Sequence, residues 1–258
     1  MIKFSSGLIQ IGIWQKNDNL ELVWLDKMHQ PHVLFCPLHQ LSTLDQLMKV
    51  TLNTHKLHRR NYYFVSAISP HHIWSKAILL PHSLSDKELD CQARLLLTQE
   101  LPIPLSELWF DYYTEQLQQG CKLTVLALQR NIAKQVLAPL MDLNVRVLDS
   151  ALYALLRGFQ FLLAKAEYSK TLFLYQDEQG CIAIQEKGHQ VLHLQRPIPD
   201  LKQVYTQFCQ HYSTEIDAVV VYREGQSIVP LQSDWTVLQT DIPLIALGNA
   251  LWQGKLDT

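Results

Sequence analysis

Glycine is scarce in this sequence, 9 of 258 residues, about half the usual frequency of roughly 7%. Phosphate-cradling loops need glycine to bring backbone N–H groups close to an anion, so a conventional nucleotide-binding enzyme is already disfavoured. Charge is scarce too: Asp, Glu, Lys and Arg make up 18% of the chain, against roughly 25% in ordinary soluble proteins. With 22 basic and 24 acidic residues and a net charge of −2, no global basic field gathers nucleic acid or anionic lipid. Five cysteines, at 36, 91, 121, 181 and 209, form an odd set without a CxxC pair. That excludes a disulfide framework or zinc knuckle and reads as reduced core thiols of a cytosolic protein. No apolar run reaches the roughly 18 residues of a bilayer-spanning helix. Phe4 to Gln15 is uncharged but interrupted by Ser5, Ser6, Gln10 and Gln15 with no small-residue cleavage site after it, so it does not read as a signal peptide. Catalytic motifs are missing as well: there is no nucleophile elbow, P-loop or HExxH. Asp86, Glu88 and Asp90 suit a helix N-terminus, and Glu107 and Asp111 merely share a strand face, so no catalytic residue is assigned.

What is present is an apolar fraction of 48%, enough for one large domain or two small ones. Gly7 to Trp14 and Leu20 to Leu25 read as a hairpin and His32 to Cys36 as a third strand. A helix N-capped by Ser42 follows, with Leu44, Leu47, Met48 and Leu52 as its buried stripe. Tyr62 to Ile68 and Ile73 to Leu80 are further strands. Ser85-Asp-Lys-Glu88 fits a capping box opening a helix that must stop before Pro102. Leu108 to Glu115 and Lys122 to Gln129 form a ββ pair, and the helix after it should kink or end at Pro139. From Val145 a strand and a strongly apolar helix lead into strands Thr171 to Tyr175, Cys181 to Gln185 and Val191 to Gln195. A helix from Leu201, a strand Ala218 to Tyr222 and a helix Leu244 to Trp252 complete the chain.

Three meander strands, a helix and a strand therefore occur twice. This is an α/β chain with mixed sheets, in the duplicated topology of actin-like and ribonuclease-H-like folds. The division falls near Asp149: residues 1–149 form a first domain carrying an inserted helix-plus-ββ subdomain at about 72–129, and 150–258 a second, reduced one.

Leu84-Ser-Asp-Lys-Glu-Leu-Asp90, Gln99-Glu-Leu-Pro-Ile-Pro-Leu-Ser-Glu107 and Phe110-Asp-Tyr112 resemble, in order, the inserted subdomain of the PilM family of type IV pilus assembly proteins. Leu143 to Phe159 is similar to that family's strand, Asp149 and interdomain helix. The shortness of the chain resembles the ComA-like, competence-associated form. The resemblance implies a cytoplasmic protein of a type IV pilus or DNA-uptake machine, peripheral to the inner membrane. It would dock the N-terminal cytoplasmic tail of a bitopic, PilN-like membrane protein without touching nucleic acid, and a homo-oligomer is compatible with this.

Family members follow the first strand with Asp-x-Gly and small residues that hold phosphates, where Ile11-Gly-Ile-Trp-Gln-Lys-Asn17 stands here. The second phosphate loop is Tyr175-Gln-Asp-Glu-Gln-Gly180, with two carboxylates where phosphates would sit, and the adenosine-side glycines shrink to Arg223-Glu-Gly225. The resemblance thus implies a vestigial nucleotide pocket at Gly12, Asp149, Asp177 and Gly225, and no cofactor is expected. The alternative is an ATP-binding or weakly ATP-hydrolysing protein in which Asp149 and Asp177 hold Mg²⁺ through water.

The resemblance further implies a peptide groove around Pro102, Ile103, Pro104, Leu105, Trp109 and Phe110. Two prolines stiffen the segment, and Trp109 and Phe110 offer flat apolar area. The competing reading is a strand on which one of the two aromatics is buried and the other partly exposed. Lys56, Arg59 and Arg60 lie in the one dense basic run, His55 to Arg60, which reads as a solvated helix end or a contact to lipid headgroups or an acidic partner. His29, His32, Cys36 and His39 have metal-like spacing, but no metal is expected there.

Overall fold

Strand β1 (Ile9–Lys16) buries Ile9, Ile11 and Ile13 on one face and turns into β2 (Asn19–Leu25) through Asn17-Asp18. Asn17 takes a φ of 51°, a left-handed conformation that asparagine tolerates in tight hairpins. The computed structural model describes residues 9–54, 62–118, 120–164, 167–188, 190–224, 232 and 234–253. Next come β3 (Pro31–Pro37), α1 (Leu44–Thr54) and β4 (Tyr62–Ile68). Ser42 does not cap α1, because Leu38–Thr43 already winds as a 3-10 turn that runs directly into the helix. Leu44 and Met48 are buried as expected, whereas Leu47 lies on the exposed side.

After β4 the chain builds β5 (Ile73–Leu80), α2 (Asp86–Glu100), β6 (Leu108–Leu117), β7 (Gly120–Gln129) and α3 (Arg130–Leu137). The Glu88 carboxylate accepts the Ser85 N–H at 2.8 Å, closing the start of α2. Helix α3 stops at Leu137, and Ala138–Leu140 tightens to 3-10, as Pro139 dictates. These elements form one compact unit, Ile68–Met141, and the rest of the chain forms the other. The unit is wider than the expected 72–129 because α3 packs on β7 and buries Ala133. Its sheet runs β5-β7-β6, and α2 covers one face with Leu89, Ala93, Leu96 and Leu97.

The larger unit resumes with β8 (Val145–Ser150) and α4 (Ala151–Leu163). Strands β9 (Thr171–Asp177), β10 (Gly180–Lys187) and β11 (Gln190–Arg196) then repeat the opening meander. Helix α5 (Leu201–Tyr212), β12 (Ala218–Arg223), the unforeseen two-residue β13 (Thr236–Val237) and α6 (Leu244–Ala250) follow. The two five-stranded sheets have equivalent orders, β3-β2-β1-β4-β8 and β11-β10-β9-β12-β13, with β4 parallel to β1 and β12 parallel to β9. This duplication is the actin-like arrangement. One core joins α4 and α6 to the inner face of the second sheet through Leu155, Phe159, Phe173, Tyr175 and Leu244, while α5 covers the opposite face.

Helix α6 packs at backbone distance on β1 and α4. A Cβ on Gly12 would stand 2.0 Å from the Ala246 carbonyl oxygen, and one on Gly248 would stand 1.7 Å from the Ala154 carbonyl oxygen. Polar bonds fix the same junction: Asn249 Nδ2 donates to Ile13 O at 2.8 Å, and Gln10 Nε2 donates to Asn249 O at 2.8 Å.

Candidate functional site

Three segments far apart in sequence converge at the ends of β1, β9 and β12. Lys16, the last residue of β1, donates from Nζ to Glu224 Oε2 at 2.5 Å. The other oxygen of Glu224 accepts the Tyr175 hydroxyl at 2.7 Å, and the Glu224 N–H donates to Gln176 O at 2.8 Å. Asn17 Nδ2 reaches Glu178 Oε2, in the β9–β10 turn, at 3.4 Å. These are the segments that the family resemblance assigns to the two phosphate loops and the adenosine side. Here they bond to one another.

The electrostatics follow from that closure. Burial works against the Lys16 ammonium, yet its bond to Glu224 and the charges of Glu224, Glu21 and Glu178 hold its pKa above the ordinary lysine value. Glu21, on β2, is 9% exposed, and burial together with the Glu224 charge raises its pKa to about 7, against the pull of Lys16. Burial and the charge of Glu224 push the Tyr175 hydroxyl far up. Carboxylates crowded around the already neutralised Lys16 ammonium repel a further anion. In the sequence Lys16 and Glu224 stand only within degenerate loops; their opposite charges are the available signal, and their 208-residue separation hides the pairing.

The other residues assigned to a vestigial pocket are engaged elsewhere. Gly12 lies under the α6 backbone, so its missing side chain serves helix packing, not phosphate approach. Asp149 Oδ2 pairs with Arg157, whose Nε also donates to Gly248 O at 2.8 Å, fastening β8 to α4 and α6. Asp177 Oδ1 accepts the N–H groups of Gln179 and Gly180 at 2.8 and 3.1 Å, which shapes the β9–β10 turn. Gly225 lies outside the described residues, as do Lys56, Arg59 and Arg60.

In the inserted unit, strand register assigns the candidate groove residues to different roles. Trp109, Asp111, Tyr113 and Glu115 of β6 lie in rows with Leu128, Leu126, Thr124 and Lys122 of β7, and these continue to Ile73, Ser75, Ala77 and Leu79 of β5. On this side Leu79, Trp109 and Tyr113 are 62%, 37% and 39% exposed. Phe110 points to the opposite face, against the α2 core and beneath the Arg94 guanidinium, 5.0 Å from the ring centroid. Ile103 and Leu105 pack on that core too, while Pro102 and Pro104 are exposed. Of the six residues, Trp109 alone sits on the aromatic-bearing outer face.

His32 Nε2 lies 3.2 Å from Asp26 Oδ2 and its ring stacks on Trp24, while Cys36 is buried. Among the described residues no group of three or more His, Cys, Asp or Glu side chains could hold a metal ion.

A family model described as type IV pilus assembly protein PilM matches residues 27–215. Among solved structures, a PilM–PilN type IV pilus biogenesis complex is 18% identical with a TM-score of 0.63, covering 94% of this chain and 97% of that one. The cytoplasmic domain of EpsL, an inner-membrane component of the type II secretion system of Vibrio cholerae, is 10% identical with a TM-score of 0.59, covering 98% of each chain. No curated protein matches the sequence.

Proposed function

The chain belongs to the type IV pilus assembly PilM family, and on that premise we propose that it is a docking platform without a nucleotide cofactor or catalytic activity. The observation that carries this reading is the closure of Lys16, Tyr175 and Glu224 on one another where the resemblance calls for phosphate-binding loops. A phosphate would meet Glu178 and Glu224 with the Lys16 ammonium already bonded. Asp149 and Asp177, the candidate Mg²⁺ holders, are committed to Arg157 and to turn amides.

The partner in this reading is the N-terminal cytoplasmic tail of a PilN-like inner-membrane protein, and its docking surface is the outer face of the inserted sheet. Trp109, Tyr113 and Leu79 supply apolar anchor area there, and Asp111, exposed beside them, suits a basic residue of the tail. Among the described residues no helix is long and apolar enough to cross a membrane, so the platform would reach the cytoplasmic side of the inner membrane through this partner. Service in a competence DNA-uptake machine fits the reduced second half, in which α5 alone connects β11 to β12.

Two titrations of the full chain test the reading. Calorimetry with Mg²⁺-ATP should be silent and the melting temperature unchanged, since a ligand of the native state must raise stability. A synthetic PilN-like tail should bind. Micromolar nucleotide binding would overturn the cofactor-free platform, and a tail that does not bind would overturn the docking role.

A further inference from the structure

We propose that the contact between the two halves of the larger unit is a proton-operated clasp with Glu21 as its sensor. When Glu21 is neutral, Lys16 serves Glu224 alone. When Glu21 is ionised, two carboxylates compete for one ammonium and the contact loosens.

The placement of Glu21 carries this. It lies between Trp14 of β1 and Phe35 of β3 in strand register, on the same face as Gly12 and Val23, against which α6 packs. It is 9% exposed, and its Oε2 has no hydrogen-bond partner among the described residues. A carboxylate with one oxygen buried and given no donor is costly when charged and tolerable when neutral. The groups that surround the clasp come from every packed element. Lys16 comes from β1, Tyr175 and Asp177 from β9, Glu178 from the β9–β10 turn, and Tyr222 and Glu224 from the end of β12. Asp241 lies before α6, and Phe35 is the neighbour on β3. Asp177 is bonded to its own turn, and Tyr175 to Glu224, so Lys16 is the cation that Glu21 can draw upon.

The chemistry is also self-contained, because the partners of Glu224 belong to the first sheet through Lys16 and to the second through Tyr175. Weakening the Lys16 arm releases the end of β1 from Glu224, while Tyr175 still holds Glu224 and α6 still holds the rest of the hairpin. The clasp would thus give the platform a conformational input that requires no nucleotide, and it stands independently of which partner docks on the inserted unit.

Side-chain carboxyl NMR of the full chain, combined with amide hydrogen exchange, tests the clasp. The Glu21 carboxyl should titrate near 7. Exchange protection of the β1–β2 hairpin amides, corrected for intrinsic rate, should fall about tenfold from roughly pH 6 to 8. Glu21→Gln should hold the protected state across that range, and Glu224→Gln should loosen the hairpin at every pH and bring the Glu21 titration down. A Glu21 carboxyl that titrates in the ordinary glutamate range would overturn the proposal. So would hairpin protection whose pH dependence survives in Glu21→Gln. Should a variant fail to fold, the wild-type carboxyl titration and protection profile decide the matter alone.

Discussion

Trp109 and Phe110 are neighbours in sequence on β6 yet serve opposite faces of the inserted sheet. Trp109 is 37% exposed in a row with Leu128 and Ile73, while Phe110 lies against the core beneath α2 under Arg94. Trp109→Ala should leave the urea-unfolding midpoint nearly unchanged and weaken tail binding by about tenfold or more, the ordinary loss for an aromatic anchor. Leu97→Ala, in the fully buried centre of that unit, should instead cost about 2–5 kcal/mol of stability. Binding calorimetry and chemical denaturation separate the two.

Lys16→Met should destabilise the larger unit by about 2 kcal/mol. Removing one partner of a fully buried pair costs roughly 3–5 kcal/mol, and the 30% exposure of Lys16 against 7% for Glu224 softens that figure. An unfolding midpoint equal to that of the wild type would show that the ion pair contributes nothing.

The pH dependence has a definite sign. Glu21 has a folded pKa raised from 4.5 to about 7, so its contribution is fully present below the unfolded value and is lost as pH rises through 7. The displacement corresponds to about 3 kcal/mol. Stability of the wild type relative to Glu21→Gln should therefore decline between about pH 5 and 8, measured by urea unfolding at each pH.

Gly12→Ala should unfold the protein or destabilise it by more than about 3 kcal/mol, because the new methyl would meet the Ala246 oxygen at 2.0 Å and the Ala250 nitrogen at 2.2 Å, both backbone atoms. Gly188→Ala is the control: its φ is 58° with open space around it, so only the left-handed penalty of about 1–2 kcal/mol applies. Thermal melts of the pair distinguish a packing glycine from a turn glycine.

Much of this fold was legible in the sequence because its signals are local. Alternating apolar strands, the Ser85 to Glu88 box, the stop before Pro102 and the break at Pro139 all lie where pattern and backbone chemistry place them. The doubled order of strands and helices followed from counting elements. The site was only half legible. Losing glycine at two loops could be read directly, but Lys16 with Glu224 and Gly12 with Ala246 are contacts across more than two hundred residues, and periodicity carries no information about such partners. The same limit hid the exposure of Leu47, which has helical spacing yet lies on the solvent side of α1, and the short β13, whose two residues are too few for any pattern.

The fit of α6 onto β1 also governs the order of events as the chain is made. Gln10 and Asn249 are bonded across 239 residues, and Gly12 leaves a notch that only the α6 backbone fills. The first sheet therefore leaves the ribosome with one apolar face uncovered and must wait for almost the entire remaining chain before it is sealed. Closing so long a loop comes late and slowly. Until α6 is in place, that uncovered apolar face is the kind of surface that makes a partly folded chain prone to aggregate.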